Sequence, residues 1–289
     1  MSGPGSAERR RLELHRPETL ADAVSAVGDG SVALAGGTEI VPLLRDGLMD
    51  AARLVDVRGV VPRGIDGRTI GAGTTLAELE AATGIPDALR EACRLSASPQ
   101  LRNMGTIGGN LLQATRCWYW RLDFPCYLHG GDRCHARSGQ HREHAFFGNE
   151  LCASAHPSDP AAALLALGAT VRTDRRELDL ATLYRLPTAD DRSTTTLEPG
   201  ELILELELPE VEASAYLKAM DRKRWAFALV GVGVARIAGQ TRVALAGAAP
   251  IPWLLEPAAL DAATPLPGTT FKVEIARTLV GRALGAIGS

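Results

Sequence analysis

The chain has 289 residues, 46% of them hydrophobic, and a formal net charge of −3. That length and apolar content can bury one large core or two smaller ones, and the slight acidity offers no basic face to nucleic acid, which the short run Arg9-Arg10-Arg11 does not supply either. No apolar stretch reaches the ~18–20 residues of a bilayer span, and no apolar signal region follows the small residues at the start, so a cytoplasmic protein without a membrane anchor is expected, residues 1–11 being a flexible N-terminus.

Residues 12–57 alternate short β-like runs with helical patterns: strands at 12–14, 32–34 and 54–57, helices over 20–27 and 40–45. This β-α-β-α-β order predicts a small α/β subdomain. A second subdomain is expected from the strand at 68–71 through helices over 76–82 and 86–95, a glycine loop, a cysteine-rich segment, and a helix over 160–167 leading into a strand at 169–172. After about residue 175 the texture changes. Strands at 202–208, 215–220, 229–236 and 242–246 follow one another through short turns, then helices within 254–262 and over 271–286, which predicts a separate α+β domain.

Two loops have the chemistry to hold an anionic cofactor. Ala35-Gly36-Gly37-Thr38-Glu39 lies between a predicted strand and a helix, where consecutive glycines let backbone N–H groups approach a phosphate. Thr106-Ile107-Gly108-Gly109-Asn110 repeats the Gly-Gly pair in the second subdomain. Two such loops in facing lobes suit the two ends of a pyrophosphate, hence a dinucleotide such as FAD. A third segment, His156-Pro157-Ser158-Asp159-Pro160, reads either as an ordinary helix cap or as placing Asp159 to accept hydrogen bonds from a cofactor hydroxyl or adenine. Gly71-Ala72-Gly73 and Gly231-Val232-Gly233 lack the third glycine of a dinucleotide fingerprint, so no NAD fold is inferred.

Cys117, Cys126 and Cys134 fall close together in a Gly/aromatic segment, and Cys152 follows; the chain has only five cysteines in all. An odd, unevenly spread set fits reduced thiols at a metal centre better than a disulfide framework. An iron–sulfur cluster, a zinc site drawing on His129, His135, His141 or His144, and unligated thiols all remain open at this stage, with the wide intervals arguing against a zinc knuckle. Cys93, in a predicted helix, reads as a packed core thiol.

The ordered set Ala35-Gly36-Gly37-Thr38-Glu39, Thr69-Ile70-Gly71-Ala72-Gly73-Thr74-Thr75, Arg102-Asn103-Met104-Gly105-Thr106-Ile107-Gly108-Gly109-Asn110 and Pro157-Ser158-Asp159 resembles the FAD-binding subunit of molybdenum hydroxylases, the family of xanthine dehydrogenase, carbon monoxide dehydrogenase medium chain and 4-hydroxybenzoyl-CoA reductase. The resemblance implies an α+β fold. Residues 12–175 would form a PCMH-type FAD-binding domain of two α/β subdomains (12–60 and 61–175), and residues 176–289 would be similar to the CO dehydrogenase flavoprotein C-terminal domain, an antiparallel sheet with helices. It further implies FAD held by Leu34, Ala35, Gly36, Gly37, Thr38 and Glu39 and by Thr106, Ile107, Gly109 and Asn110, with Asn110 and Asp159 on the adenosine side, Ile107 near the isoalloxazine, and Lys218 and Trp225 approaching the flavin.

The cysteine segment, as an insertion over 114–152, is similar to the extra loop of the 4-hydroxybenzoyl-CoA reductase and bacterial aldehyde oxidoreductase FAD subunits. That likeness implies a [4Fe-4S] cluster on Cys117, Cys126, Cys134 and Cys152. The expected function is an electron-transfer subunit working with a molybdenum-cofactor subunit and a small [2Fe-2S] subunit, and delivering electrons to an acceptor such as ferredoxin, NAD or oxygen. Alternatives are a self-standing flavin/Fe–S oxidoreductase acting on a small molecule, and a redox-sensing or scaffold protein. No acid/base constellation is found, so no catalytic residue is assigned.

Overall fold

A computed structural model describes residues 12–256 and 259–288; residues 1–11, read above as a flexible N-terminus, lie outside the described residues. The first lobe runs β1 (Glu13–His15), α1 (Leu20–Ala26), β2 (Ser31–Leu34), α2 (Ile40–Arg45) and β3 (Arg53–Asp56). Its three strands form a parallel sheet in the order β1-β3-β2, the arrangement expected where helices bridge successive strands. Thr19 starts α1 by accepting the Asp22 N–H.

The second lobe contains β4 (Ile65–Asp66), β5 (Thr69–Gly71), α3 (Leu76–Ala81), α4 (Asp87–Leu95), α5 (Pro99–Arg102), α6 (Ile107–Leu111), α7 (Trp118–Arg121), α8 (His135–Ser138), α9 (Asp159–Ala166), β6 (Thr170–Thr173), β7 (Glu177–Asp179), α10 (Leu180–Leu183) and β8 (Ile203–Glu207). Its five strands run β4-β5-β8-β6-β7, every neighbour antiparallel. Strand β8, grouped by its sequence position with the C-terminal strands, lies at the centre of this sheet between β5 and β6. A division at residue 175 therefore cuts through the sheet. The physical reason is two-sided burial: Leu206 packs with Ile70 and Val171 in the second lobe, while Leu202 and Leu204 pack with Ala23 and Val55 of the first.

The remaining chain forms β9 (Ala213–Ala219), β10 (Val230–Ile237), β11 (Gln240–Ala246), β12 (Trp253–Leu254) and α11 (Thr270–Ala286). The sheet order is β12-β11-β10-β9, antiparallel throughout. Helix α11 covers one face through Val273, Ala276 and Ala283, which pack with Val230, Val232, Val234 and Leu245. The other face meets α9, buried along its whole length. This explains why β10 reads as a continuous apolar run rather than an alternating one.

Candidate functional site

A cleft of ≈ 780 Å³ opens where the 35–40 turn of the first lobe, the 103–110 segment of the second, and the 225–227 turn of the third meet. Its wall includes Ala35, Gly36, Gly37, Thr38, Glu39, Thr106, Gly109, Asn110, Asp159, Lys218 and Trp225. Leu34 and Ile107 are not part of that wall. Ile107 is fully buried in the second lobe's core, and its N–H donates to the Thr74 carbonyl at 2.8 Å.

The first two loops touch. A Cβ on Gly36 would stand 1.8 Å from the Met104 carbonyl oxygen, so only glycine lets the turn after β2 reach the 103–105 backbone, and Gly37 takes the left-handed conformation at φ +72°. The partner segment is held rigidly by Arg102, a buried arginine that donates to the Ser96 and Ala97 carbonyls, both at 3.0 Å, and pairs with Glu80 at 2.8 Å.

The loops differ in what their backbones offer. In the second, Ile107 and Gly108 donate to the Thr74 and Ala72 carbonyls, while Gly109 and Asn110 donate to the Thr106 hydroxyl and carbonyl. Thr106 is thus the N-cap of α6, and its glycines supply close packing rather than free donors. In the first loop, by contrast, none of the backbone hydrogen bonds among the described residues outside helices and strands is donated by Gly36, Gly37 or Thr38.

At the floor, Asp159 is 2% exposed and its carboxylate is filled by protein donors. Oδ1 accepts from Tyr216 Oη at 2.6 Å; Oδ2 accepts from Lys218 Nζ at 2.7 Å and Ser96 Oγ at 3.3 Å. Burial, together with the Asp159 charge, pushes the Tyr216 phenol well up. Lys218 also donates to the Leu95 carbonyl at 3.0 Å, and Ser158 Oγ donates to Asn110 Oδ1 at 2.5 Å. The expectation that Asp159 reaches a cofactor meets a carboxylate locking α9, β9 and α4 together.

Glu39 ties the cleft to the cysteine segment. Its Oε1 accepts from the Ala114 N–H at 3.1 Å and from Arg121 Nη2 at 2.5 Å, and Arg116 Nη2 stands 2.7 Å from Oε2. Desolvation lowers the Arg116 pKa against the opposing pull of Glu39. Over this pair the rim is aromatic: the Arg116 guanidinium lies 5.1 Å from the centre of the Phe227 ring, and Trp225, 55% exposed, holds φ +56° with its carbonyl accepting from Arg222.

Within the insertion, Cys117, Cys126 and Cys134 each begin a helical turn. All are free thiols, as is Cys152. A hydrogen bond from Cys152 lowers the Cys134 pKa below the ordinary thiol value, and the same contact raises that of Cys152. Burial raises Cys117 to about 11, with the Cys134 and Cys126 charges adding to the rise, so these sulfurs sense one another. His144 Nε2 lies 3.2 Å from Cys117 Sγ. The other histidines face backbone: His141 binds the Ala136 carbonyl and the Gly268 N–H, His129 the Phe124 carbonyl, and His135 the Pro125 carbonyl. Among the described residues, no three His, Cys, Asp or Glu side chains are grouped closely enough to hold a metal ion as they stand. Cys93 is buried apart, inside α4.

The family model of the FAD binding domain in molybdopterin dehydrogenase matches residues 10–211. The chain belongs to this family. It is 38% identical over 251 residues to the aldehyde oxidoreductase FAD-binding subunit PaoB of Escherichia coli K12, covering 79% of this chain and 78% of that one. It is also 38% identical over 119 residues to the carbon monoxide dehydrogenase medium chain of Afipia carboxidovorans, covering 37% of this chain and 39% of the relative. In fold it matches a chain of the Cu,Mo-CO dehydrogenase crystal structure with a TM-score of 0.68 at 24% identity, over 96% and 97% of the two chains. Family membership makes the protein a component of an oxidoreductase. No helix among the described residues is long and apolar enough to cross a membrane.

Ser96 and Arg116 escaped the sequence reading; they come from separate elements and carry no local motif. Tyr216 and Phe227 lie in the same basic and aromatic stretch as Lys218 and Trp225, which the resemblance brings toward the flavin.

Proposed function

We propose that the chain is an FAD- and [4Fe-4S]-binding electron-transfer subunit of a molybdenum-hydroxylase-type oxidoreductase. The observation that carries this reading is the Glu39 carboxylate, which joins a glycine-turn cleft large enough for a dinucleotide to the segment that starts the four-cysteine set. Bound together, FAD and the cluster would supply exchange between electron pairs and single electrons.

The residues around the cleft fit FAD, and the four thiols offer the ligand chemistry of a cluster without being gathered into a metal site as they stand. Unclaimed N–H groups at Gly36, Gly37 and Thr38 suit an anionic pyrophosphate, and the Gly36–Met104 contact brings Thr106 to Asn110 within the same cleft. Trp225 and Phe227 at the rim suit a planar ring, with Lys218 fixed beneath. Leu34 and Ile107 act through packing in this account. For the cluster, Cys117, Cys126, Cys134 and Cys152 supply four thiols, and the backbone commitments of His129, His135 and His141 favour an all-cysteine set over a zinc site that needs histidine.

Glu39 holds the 114–121 segment against the cleft and so sets how near Cys117 lies to it. The likeness to PaoB, a subunit of an aldehyde oxidoreductase, supports partner subunits; in this reading they are a molybdenum-cofactor subunit and a small [2Fe-2S] subunit, with an acceptor such as ferredoxin, NAD or oxygen. Exposed Leu122 and Phe124 in the insertion offer apolar surface to a partner. The free thiols fit a cytoplasmic setting.

Paired substitutions test the cysteine assignment. Cys126→Ser should remove the broad visible absorbance of an Fe–S centre and the bound iron while the FAD bands persist, whereas Cys93→Ser should leave iron content unchanged. Unchanged iron in Cys126→Ser would remove that residue from the ligand set.

A further inference from the structure

The turn between β9 and β10 carries Asp221, Arg222, Lys223, Arg224 and Trp225 in succession, all of them exposed. Asp221 is paired with Arg142 at 3.3 Å. The three cations that follow are not matched in this way. Arg222 donates to the Trp225 carbonyl at 2.8 Å, and among the described residues Arg222, Lys223 and Arg224 enter no ion pair. Arg142 meets the turn through Asp221, and Glu143 shares a cavity wall with Asp221 and Arg222, so four cations stand against two carboxylates. A positive patch therefore lies on a chain whose net charge is −3.

The patch borders the flavin cleft. Trp225 and Phe227 belong to the cleft wall, yet they are 55% and 53% exposed. Large aromatic side chains half-open to water beside unpaired arginines have the composition of an interface, because Trp and Arg are among the residues that most often carry its binding energy.

The charge narrows the kind of partner. A permanent interface has an apolar core depleted of charge, the kind of surface that Leu122 and Phe124 offer. Three consecutive cations suit a transient complex instead, where complementary charge steers the encounter and sets its rate. Lys223 and Arg224 line neither the cleft nor the cavity beside it, so they face a surface rather than a small ligand enclosed in a pocket.

We propose that the 222–227 turn is the docking surface for an acidic electron-carrier protein, which binds transiently beside the flavin cleft. This rests on the electron-transfer reading and deepens it, selecting a protein of negative surface over NAD or oxygen as the acceptor.

The test is calorimetric titration of the purified enzyme, with FAD and iron assayed on the same samples. An oxidised plant-type [2Fe-2S] ferredoxin serves as the acidic carrier, and cytochrome c and NAD as the alternatives. Net charge alone would favour the basic cytochrome c, so a preference for ferredoxin reports the patch. Ferredoxin affinity should fall at least roughly tenfold from about 20 to about 200 mM salt. Lys223→Glu with Arg224→Glu should weaken binding roughly tenfold or more at low salt and flatten the salt response. Lys223→Gln with Arg224→Gln should weaken it by a smaller factor. Arg277→Glu with Arg282→Glu, exposed on α11 and outside both cavity walls, makes the same change of net charge as the first pair and should bind ferredoxin like the parent.

No ferredoxin binding at low salt, tighter binding of cytochrome c, or equal affinity in the two Glu pairs would overturn the proposal. So would NAD binding that the first pair abolishes, which would give the turn to a dinucleotide. Ferredoxin bound by the isolated chain but not by the assembled enzyme would make the turn a subunit interface and overturn it as well. Samples with neither FAD nor iron would count against the electron-transfer reading, leaving the salt response and the paired variants to decide this one.

Discussion

Arg121 donates to Glu39 at 2.5 Å across eighty-two residues of sequence, bringing the helix that follows Cys117 onto the turn that follows β2. With Arg116 on the other carboxylate oxygen, one acidic side chain holds two arginines and a backbone N–H at the junction of cleft and cysteine segment. Glu39→Ala would leave two partly buried guanidinium groups without their anion. A loss of about 2–4 kcal/mol is expected, together with reduced iron and FAD in the purified protein, measured by chemical denaturation and cofactor analysis. Full retention of both cofactors would show that the junction is not what holds them.

Gly36 has no room for a side chain. Gly36→Val should separate the 35–37 turn from Met104 and abolish FAD retention through gel filtration, while the C-terminal sheet, whose core is distant from this contact, keeps its circular dichroism. Gly37→Val should act in the same direction through backbone strain, because β-branched residues are outliers at positive φ. Stoichiometric FAD in either variant would contradict the role given to this turn.

Removing one member of the buried Asp159–Lys218 pair should be costly, about 3–5 kcal/mol for Lys218→Met, because the Asp159 charge remains in the core. A double substitution, Asp159→Asn with Lys218→Met, should recover part of that loss, with Tyr216 and Ser96 still able to bond the amide. Urea denaturation of the single and double variants reads the coupling directly. Additive losses would mean the two groups do not act as a pair.

Glu201, on the cleft wall, gives a pH signature. Burial alone would raise its carboxyl, but hydrogen bonds from Arg176, the Glu198 N–H and Thr173 outweigh this and hold it at about 2, below its ordinary 4.5. A carboxyl depressed on folding stabilises the protein above the unfolded value, and that stability drains away as pH falls from about 4.5 through about 2. Glu201→Gln should therefore be less stable than the parent at pH 7, with the gap closing as the pH is lowered through this window. Parallel denaturation curves across the window would refute the assignment.

Local patterning made much of this molecule legible. The Gly-Gly turn between β2 and α2, the β-α-β-α-β order of the first lobe and the strand series of the third all follow from short-range periodicity and turn chemistry. What escaped were choices made over long distances. Strand β8 resembles its sequence neighbours, and only pairing with β5 and β6 reveals its sheet. Ile107 follows a threonine beside glycines, and nothing local says that Thr106 caps a helix and turns Ile107 into the core. Likewise, Asp159 looked available because Tyr216 and Lys218 lie almost sixty residues away.

What accompanies the protein through anaerobic purification tests the joint binding of FAD and a cluster most directly. Iron, acid-labile sulfide, zinc and FAD should be assayed on one sample alongside its visible spectrum. About four iron and four sulfide per FAD is the predicted result. Zinc in place of iron, or FAD with no metal, would contradict the cluster on Cys117, Cys126, Cys134 and Cys152.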